Sequence, residues 1–243
     1  MSTSANRLLR IPVSCPTCKT RQTCEWCELD AASLELLDRS KVTNIYQPRQ
    51  MIFYEGNPCL GVYCVQEGTV ALKKTSRSGD AIILRVIEAG ATLGYRAFFA
   101  GTPYHASAEA LSPSRICFVD RSTLSALLKS NPRVGMRFLN HLAHDLGQAE
   151  GERFQLATLS VRPRLAQLLL SLKEHHASVD GQGNLVFDLP FSRRELAEHL
   201  GARPETVART IKKMQNDSVA TFDGRQVRVE DLDRLLDEVD LPV

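Results

Sequence analysis

The chain has 243 residues, of which 43% are hydrophobic, and this length is enough for two domains with buried cores. The formal net charge is only +2, so affinity for nucleic acid would have to come from local basic clusters. The sequence has no signal-peptide-like run and no apolar stretch of membrane-spanning length, so we expect a cytoplasmic protein without membrane contact. In that compartment, seven cysteines indicate metal or redox chemistry rather than structural disulfides.

Four of the cysteines lie close together in the segment CPTCKTRQTCEWC, after residues 1–14, which we expect to be poorly ordered. Four thiolates could form a tetrahedral zinc site, but the two Cys-x-x-Cys pairs are closer together than in most such sites. An iron–sulfur cluster also takes four cysteines, and one of them often comes from a distant part of the chain. The spacing leaves a cluster, zinc or free thiols open. The four residues are Cys15, Cys18, Cys24 and Cys27.

Residues 42–120 follow a short predicted helix (residues 31–37) and have the pattern of a β-rich domain. Runs of Val, Ile, Tyr and Phe are broken by turn residues about every ten positions, which is typical of a sandwich or barrel, here of the jelly-roll type. Ser78-Gly79-Asp80 predicts a hairpin between two of the strands. Cys117 lies in the last strand, SRICFVD.

A long amphipathic helix is predicted from Pro132 to about Leu159, where apolar residues recur at helical spacing. Its apolar stripe could pack on the barrel or form a dimer interface, and we predict the interface. Acidic residues near the stripe would tune the dimer by repulsion across the two-fold axis. The predicted interface residues are Phe138, Leu142, Leu146 and Ala149, and the acidic candidates are Asp145, Glu150 and Glu152.

The segment from Pro190 to Gln215 predicts two short helices joined by a tight turn. Ser192 and Glu195 form a capping box, Gly201 permits the left-handed turn that ends the first helix, and Pro204 suits the start of the second. This is the helix-turn-helix pattern. Asp223-Gly224 then predicts a hairpin that serves as a wing, and an acidic helix follows.

The second helix of such a motif places its N-terminal residues against base edges in the major groove. Glu205 and Arg209 share one face of this helix, where a carboxylate can accept from cytosine and a guanidinium can bind guanine. The alternative is a solvated ion pair on an ordinary surface helix.

A jelly roll, a long helix and a winged helix-turn-helix, in this order, resemble the CRP/FNR family of bacterial transcription regulators. EGNPCLGVYCVQEGTVAL and ETVAR carry the resemblance, which runs from about Cys15 to Asp231 and is strongest to the oxygen-sensing FNR branch. It implies an α+β fold. The four implied segments are a cysteine-rich segment (1–28), a cyclic-nucleotide-binding-like β-barrel sensor domain (29–130), a dimerisation helix (131–160) and a winged helix-turn-helix DNA-binding domain (161–243).

The resemblance also implies a [4Fe–4S] cluster that oxygen dismantles, with zinc as the alternative metal. The implied ligands are Cys15, Cys18, Cys24 and Cys117. Cys27 is an extra thiol that could take the place of one of them. Cys59 and Cys64 lie outside the pattern, and we expect both to be small buried hydrophobic residues.

The resemblance also bears on which small molecule the barrel binds. Where cyclic-nucleotide-binding members have a glutamate and an arginine, this chain has Tyr95 and either His105 or Ala106, so a cyclic nucleotide is disfavoured. The alternative function is a regulator with structural zinc or free thiols whose barrel binds a small molecule or haem. The haem candidates are His105, His141 and His144.

Within the recognition helix, the resemblance implies that Glu205 and Arg209 read the G·C pair of a TTGA-like half-site. Ala208 could touch a thymine methyl. The phosphate-positioning candidates are Arg203, Lys212 and Lys213. The implied partners are double-stranded DNA, a second copy of the chain and RNA polymerase. No catalytic motif is present, so we expect no enzyme.

Overall fold

The computed structural model describes residues 13–239, so most of the N-terminal stretch expected to be poorly ordered lies outside the described residues. The chain divides into two compact units, Met1–Gly147 and Gln148–Val243. Their boundary falls inside the long helix, and the predicted domain borders at residues 130 and 160 stay predictions. No helix within residues 13–239 combines the length and apolar character needed to cross a membrane.

The first unit is an antiparallel β-barrel preceded by the cysteine-rich segment, as the jelly-roll pattern predicts. A 3-10 turn spans Cys15–Thr17, and helix α1 spans Ala31–Ser40, three residues longer than predicted. The strands are β1 Val42–Tyr46, β2 Met51–Phe53, β3 Gly61–Glu67, β4 Val70–Thr75, β5 Ala81–Ile87, β6 Thr92–Leu93, β7 Ser107–Ala110 and β8 Ser114–Asp120. They form two four-stranded sheets, ordered β1-β8-β3-β6 and β2-β7-β4-β5, and the predicted hairpin joins β4 to β5.

Three further helices belong wholly or partly to this unit: α2 Tyr95–Ala100, α3 Arg121–Ser130 and α4 Pro132–Thr158. One hydrophobic core lies inside the barrel. A second core joins the cysteine-rich segment to α1, α3 and the start of α4. Trp26 is central to this second core, where its ring makes an edge-on contact with Phe138 at 5.6 Å between centroids. The cysteine-rich segment is therefore packed against the barrel and α4.

The predicted apolar stripe on α4 divides between two environments. Phe138 has no exposed surface and lies in the core of its own unit, so its placement in the dimer interface is wrong. Leu142 is half-buried, and Ala149 is exposed. Leu146 is 62% exposed, and the neighbouring Leu139, which the sequence analysis did not select, is 55% exposed.

The second unit has the predicted winged helix-turn-helix arrangement. Its elements are α5 Val161–His176, β9 Ser178–Val179, β10 Leu185–Asp188, α6 Arg193–His199, α7 Pro204–Asn216, β11 Thr221–Asp223, β12 Gln226–Val229 and α8 Leu232–Asp237. The strands form one antiparallel sheet ordered β11-β12-β10-β9.

Local chemistry sets the helix-turn-helix as the sequence predicts. The Ser192 hydroxyl accepts from the Glu195 amide at 3.3 Å, and the Glu195 carboxylate accepts from the Ser192 amide at 2.6 Å. Gly201 ends the first helix with a φ of 57°, a conformation that costs a residue without a side chain little. Pro204 begins α7, the recognition helix.

Candidate functional site

Five cysteines line one cavity between the cysteine-rich segment and the barrel. Three of the predicted ligands come from that segment, and the fourth, Cys117, comes from β8. Cys64 of β3 also lines the cavity, although the sequence analysis expected only a packing role for it. The five residues are Cys15, Cys18, Cys24, Cys64 and Cys117. Cys27 is not among the lining residues, and Cys59 packs against the core inside the barrel.

Hydrogen-bonding groups surround the sulfur atoms of this cavity. Trp26 Nε1 donates to Cys64 Sγ at 3.0 Å. Thr43 Oγ1 lies 3.2 Å from Cys117 Sγ. Gln66 Nε2 donates to Cys18 Sγ at 3.7 Å. Because hydrogen bonds to sulfur stabilise negative charge there, these groups favour thiolates or a thiolate-bound metal centre.

Lys41 adds a positive charge to the same cavity. Its side chain is only 7% exposed and pairs with Asp38, whose carboxylate also accepts from the Cys15 amide at 2.6 Å. Burial by itself lowers the pKa of Lys41, but the pairing with Asp38 and the nearness of Cys15 outweigh it, so the pKa lies above its usual value. The ammonium group therefore stays charged beside the thiols.

Burial opposes the deprotonation of three of these thiols. Burial, as the largest cause, raises the pKa of Cys15 to about 12 and that of Cys24 to about 11, and it also raises the pKa of Cys117. A metal ion would have to displace these protons, because thiolates are the ligating form.

The donor set fits a cysteine-ligated cluster in its chemistry, and the lining of the cavity has to rearrange to admit one. Thiols from both sides of the cavity, a buried ammonium and several N–H and O–H donors together suit an anionic iron–thiolate centre. The free space is about 40 Å³, which is room for only a few water molecules. Among the described side chains of residues 13–173 and 177–239, no three His, Cys, Asp or Glu groups converge closely enough to hold a metal ion. The side chains that line the cavity would therefore have to rearrange when a cluster binds.

Glu25, the residue after Cys24, links the cysteine-rich segment to both the barrel and α4. Its side chain is almost completely buried. It accepts from Thr92 Oγ1 of β6 at 2.6 Å and lies 2.7 Å from His141 Nδ1 of α4. The same carboxylate thus holds the segment, a strand and the long helix together.

Asp145 extends this polar network and does not act as predicted. We expected it at the dimer interface, but it is buried in its own unit, where it pairs with Arg85 of β5 and accepts from the Tyr95 hydroxyl. His141 Nε2 lies 3.7 Å from its carboxylate. A buried carboxylate that is already paired with arginine has no free charge to repel a second copy.

The pKa of His141 should lie above its usual value of about 6.5. The hydrogen bond to Glu25 is the largest cause, burial opposes it, and the charges of Glu25 and Asp145 outweigh the burial. Protonated His141 therefore stabilises the fold fully below pH ~6.5, and this contribution is lost as the pH rises through the folded-state pKa.

Ring-proton titration by NMR on the reduced, iron-free protein would measure this pKa in the wild type and in Glu25→Gln. We expect Glu25→Gln to lower it, and to weaken the fall in stability with rising pH that the single tryptophan reports in urea unfolding. Glu28→Gln is the matched control, because Glu28 pairs with Arg137 at 3.3 Å. An equal pKa shift in both variants would contradict the assigned contact.

Tyr95 and His105, which stand where cyclic-nucleotide-binding members have their ligand-contacting residues, each have a partner within this chain. Tyr95 is bonded to Asp145, and His105 Nε2 lies 3.0 Å from Arg96 Nη1. Burial, with Arg96 as the next cause, lowers the pKa of His105. Ala106 is buried. Of the other haem candidates, His141 is held by Glu25, and His144 is exposed.

The recognition helix α7 presents every predicted DNA contact to solvent. Its inner face is formed by Val207, Ile211 and Met214, as predicted, together with Thr210. Within the described residues, neither Glu205 nor Arg209 has a side-chain hydrogen bond or ion pair. The Glu205–Arg209 ion pair that was the alternative to DNA contact is therefore not formed. The exposed residues are Arg203, Glu205, Ala208, Arg209, Lys212 and Lys213.

Two family models match separate parts of the chain. The model described as a cyclic nucleotide-binding domain matches residues 43–131, and the model described as a Crp-like helix-turn-helix domain matches residues 163–238. The first lies in the barrel unit, and the second lies in the unit that carries the recognition helix.

Curated relatives match along nearly the whole chain, and those compared are transcriptional regulators rather than enzymes. The transcriptional activator protein FnrL of Cereibacter sphaeroides is 26% identical over 232 residues, which cover 92% of this chain and 91% of that protein. The fumarate nitrate reduction regulatory protein of Klebsiella oxytoca is 25% identical over 228 residues, which cover 92% and 89%.

Solved structures give the same result for the fold. FixK2 from Bradyrhizobium japonicum superposes with a TM-score of 0.73 at 25% identity and covers 84% of this chain and 99% of its own. A CRP/FNR-family transcriptional regulator from Thermus thermophilus has a TM-score of 0.69 at 26% identity and covers 82% and 98%. With both domain models matched in order and regulators as relatives, the chain belongs to the CRP/FNR family of transcription regulators.

Proposed function

We propose that this protein is an oxygen-responsive DNA-binding regulator that holds a [4Fe–4S] cluster through Cys15, Cys18, Cys24 and Cys117. One observation carries the proposal: three cysteines of the N-terminal segment and one from the last barrel strand line the same cavity, whereas Cys27 does not. The name of a relative from Pasteurella multocida, anaerobic regulatory protein, supports the choice of oxygen as the signal.

When bound, a cluster of this type supplies an oxidisable iron–sulfide centre whose stability depends on its thiolate ligands and on hydrogen bonds to their sulfur atoms. The four cysteines tie the N-terminal segment to β8. Lys41 offsets the negative charge, while Thr43 and Gln66 lie beside ligand sulfur atoms. Loss of the ligand tie leaves the segment held by its packing, by Glu25 and by contacts such as that of the Cys15 amide with Asp38 and that of Glu28 with Arg137.

Glu25 gives the segment a route to the long helix. Because Glu25 directly follows Cys24 and is bonded to His141 of α4, a displacement of Cys24 is transmitted to α4. We expect the tied segment to favour the dimer and the released segment to weaken it, which is a population shift between two states.

Regulators of this family bind DNA and act as dimers. Two recognition helices would meet two half-sites about one helical turn apart, with Glu205 and Arg209 at base edges and Arg203, Lys212 and Lys213 at phosphates. As a transcription regulator, the DNA-bound dimer would act on RNA polymerase.

The proposed dimer surface of α4 consists of the exposed Leu139 and Leu146 and the half-buried Leu142 between them, with Leu139 replacing the buried Phe138. Leu139, Leu142 and Leu146 follow one another at spacings of three and four residues, the pattern of a helix-pairing seam. A substitution at one of these leucines removes two of them from each dimer, one per subunit. The free energy of dimerisation would become less favourable by about 3 kcal/mol, which corresponds to a dimer weaker by about 100-fold.

We therefore expect Leu146→Asp to be mainly monomeric at concentrations where the wild type is dimeric, as measured by sedimentation equilibrium under anaerobic conditions. Ile82→Asp is the matched control, because Ile82 is an apolar side chain that is 49% exposed on β5 rather than on α4. If Ile82→Asp dissociates the dimer and Leu146→Asp does not, the interface lies on the barrel instead.

The proposed function is tested by anaerobic purification followed by iron, sulfide and zinc analysis and a visible spectrum before and after air. We expect about four iron and four sulfide per subunit and a broad absorption band that bleaches in air. Colourless protein with one zinc per subunit would overturn the cluster and give the cysteines a structural role.

A further inference from the structure

Cys64 and Cys117 are directly opposite each other on neighbouring strands. In the antiparallel pair β3–β8, the register places Cys64 against Cys117, Val62 against Val119 and Tyr63 against Phe118. Directly opposed residues in such a pair have Cα atoms about 4.5 to 5.5 Å apart. A disulfide requires a Cα separation of about 4.4 to 6.8 Å, so the backbone already satisfies this requirement.

Both side chains lie on the same face of the sheet, toward the cavity. Val62 and Val119, two residues away on each strand, belong to the core that contains Cys15 and Cys24, and side chains two residues apart share a face. Cys64 and Cys117 both line the cavity themselves. The two thiols therefore face the space into which a small oxidant would enter.

Neighbouring side chains hold both thiols in place. Trp26 Nε1 donates to Cys64 Sγ at 3.0 Å, and Thr92 Oγ1, which donates its proton to Glu25, lies 3.7 Å from the same sulfur atom. Thr43 Oγ1 lies 3.2 Å from Cys117 Sγ. Both strands are paired in one sheet, so their spacing does not depend on the position of the segment with Cys15, Cys18 and Cys24.

We propose that Cys64 and Cys117 form a reversible disulfide when the cavity is exposed to a peroxide. The Cys117 thiol gives up its proton as its Sγ attacks one peroxide oxygen, so that the O–O bond breaks, a sulfenic acid forms at Cys117, and the departing hydroxide takes the proton and leaves as water. Cys64 Sγ then attacks the sulfenic sulfur, so that the S–S bond forms, the S–O bond breaks and a second water leaves. The two thiols lose two electrons and two protons, and the peroxide gains them.

The disulfide would remove Cys117 from the ligand set, and a thiol reductant would restore it. This regulatory meaning rests on the proposed cluster function, because it treats Cys117 as a ligand. The disulfide would hold the protein in its iron-free state after oxygen is gone, until the cell is also reducing.

The test uses the full chain, purified anaerobically, assayed for iron and then treated with hydrogen peroxide. Thiols are alkylated under denaturing conditions before tryptic digestion. We expect free thiols to fall from seven to five per chain and the peptide 116–121 to become linked to the peptide 50–73, with dithiothreitol reversing both changes.

The peptide 50–73 also contains Cys59, which gives a matched pair of variants. Cys59→Ser should keep the link, and Cys64→Ser should lose it. A link from Cys117 to Cys15, Cys18 or Cys24, or Cys64 recovered fully alkylated, would overturn the proposal. Iron analysis separates the cluster hypothesis from the disulfide hypothesis. Protein that binds iron and loses its visible absorption in air, but shows no Cys64–Cys117 link, contradicts only the disulfide. A link in protein that never held iron supports the thiol pair and contradicts the cluster.

Discussion

Cys117→Ser should purify anaerobically without the cluster, with iron falling from about four atoms per subunit to a small fraction of that. Cys117 supplies the barrel side of the cavity, so its loss leaves all three remaining ligands on the N-terminal segment. Iron and sulfide analysis measures the effect, and circular dichroism checks that the barrel still folds.

Cys27→Ser is the matched control for Cys117→Ser. Cys27 belongs to the same cysteine-rich segment but does not line the cavity, so this variant should keep its iron and its visible spectrum. A Cys117→Ser protein with a full cluster, together with a Cys27→Ser protein without one, would mean that Cys27 is the ligand and that the assignment of Cys117 is wrong.

Arg209→Ala should weaken binding to a TTGA-like palindrome by about 1–3 kcal/mol per half-site and relax the preference at one base pair. Arg209 is exposed on α7, and no other side chain of the described residues holds its guanidinium. A bidentate contact to guanine would therefore be lost without disturbing the core. Fluorescence anisotropy with the palindrome and with single-base variants measures both effects.

Lys212→Ala distinguishes base readout from general electrostatics. We expect it to weaken binding to all DNA sequences alike, because a phosphate contact carries no sequence information. The slope of the logarithm of the binding constant against the logarithm of the salt concentration should fall by about one unit. If Arg209→Ala also weakened binding to every sequence equally, Arg209 would contact a phosphate, and its proposed contact with a base of the half-site would be wrong.

The second unit shows how much of the fold follows from local sequence. The capping box of Ser192 and Glu195, the left-handed turn at Gly201 and the start of α7 at Pro204 all occur where they are predicted. Each depends on the backbone chemistry of a few neighbouring residues. The same holds for the hairpin at residues 78–80 in the barrel.

The two faces of α4 show where local sequence stops being sufficient. Phe138 and Leu139 are adjacent and both apolar, yet the first is buried and the second is exposed. A helical stripe shows that one face is apolar but not how it divides between the protein's own core and a partner. Trp26, Tyr95 and Phe99, all distant from Phe138 in the sequence, bury it by packing on its ring.

The sequence by itself determined the order of elements, the helix-turn-helix and the set of cysteines from which a ligand set could be drawn. Only the tertiary structure decided that Cys64 lies opposite Cys117, that Cys27 is outside the cavity, and that Glu25 reaches His141. Strand register and side-chain contacts across long separations depend on how the whole core packs, since shifting a strand by one residue would turn Cys64 to the other face.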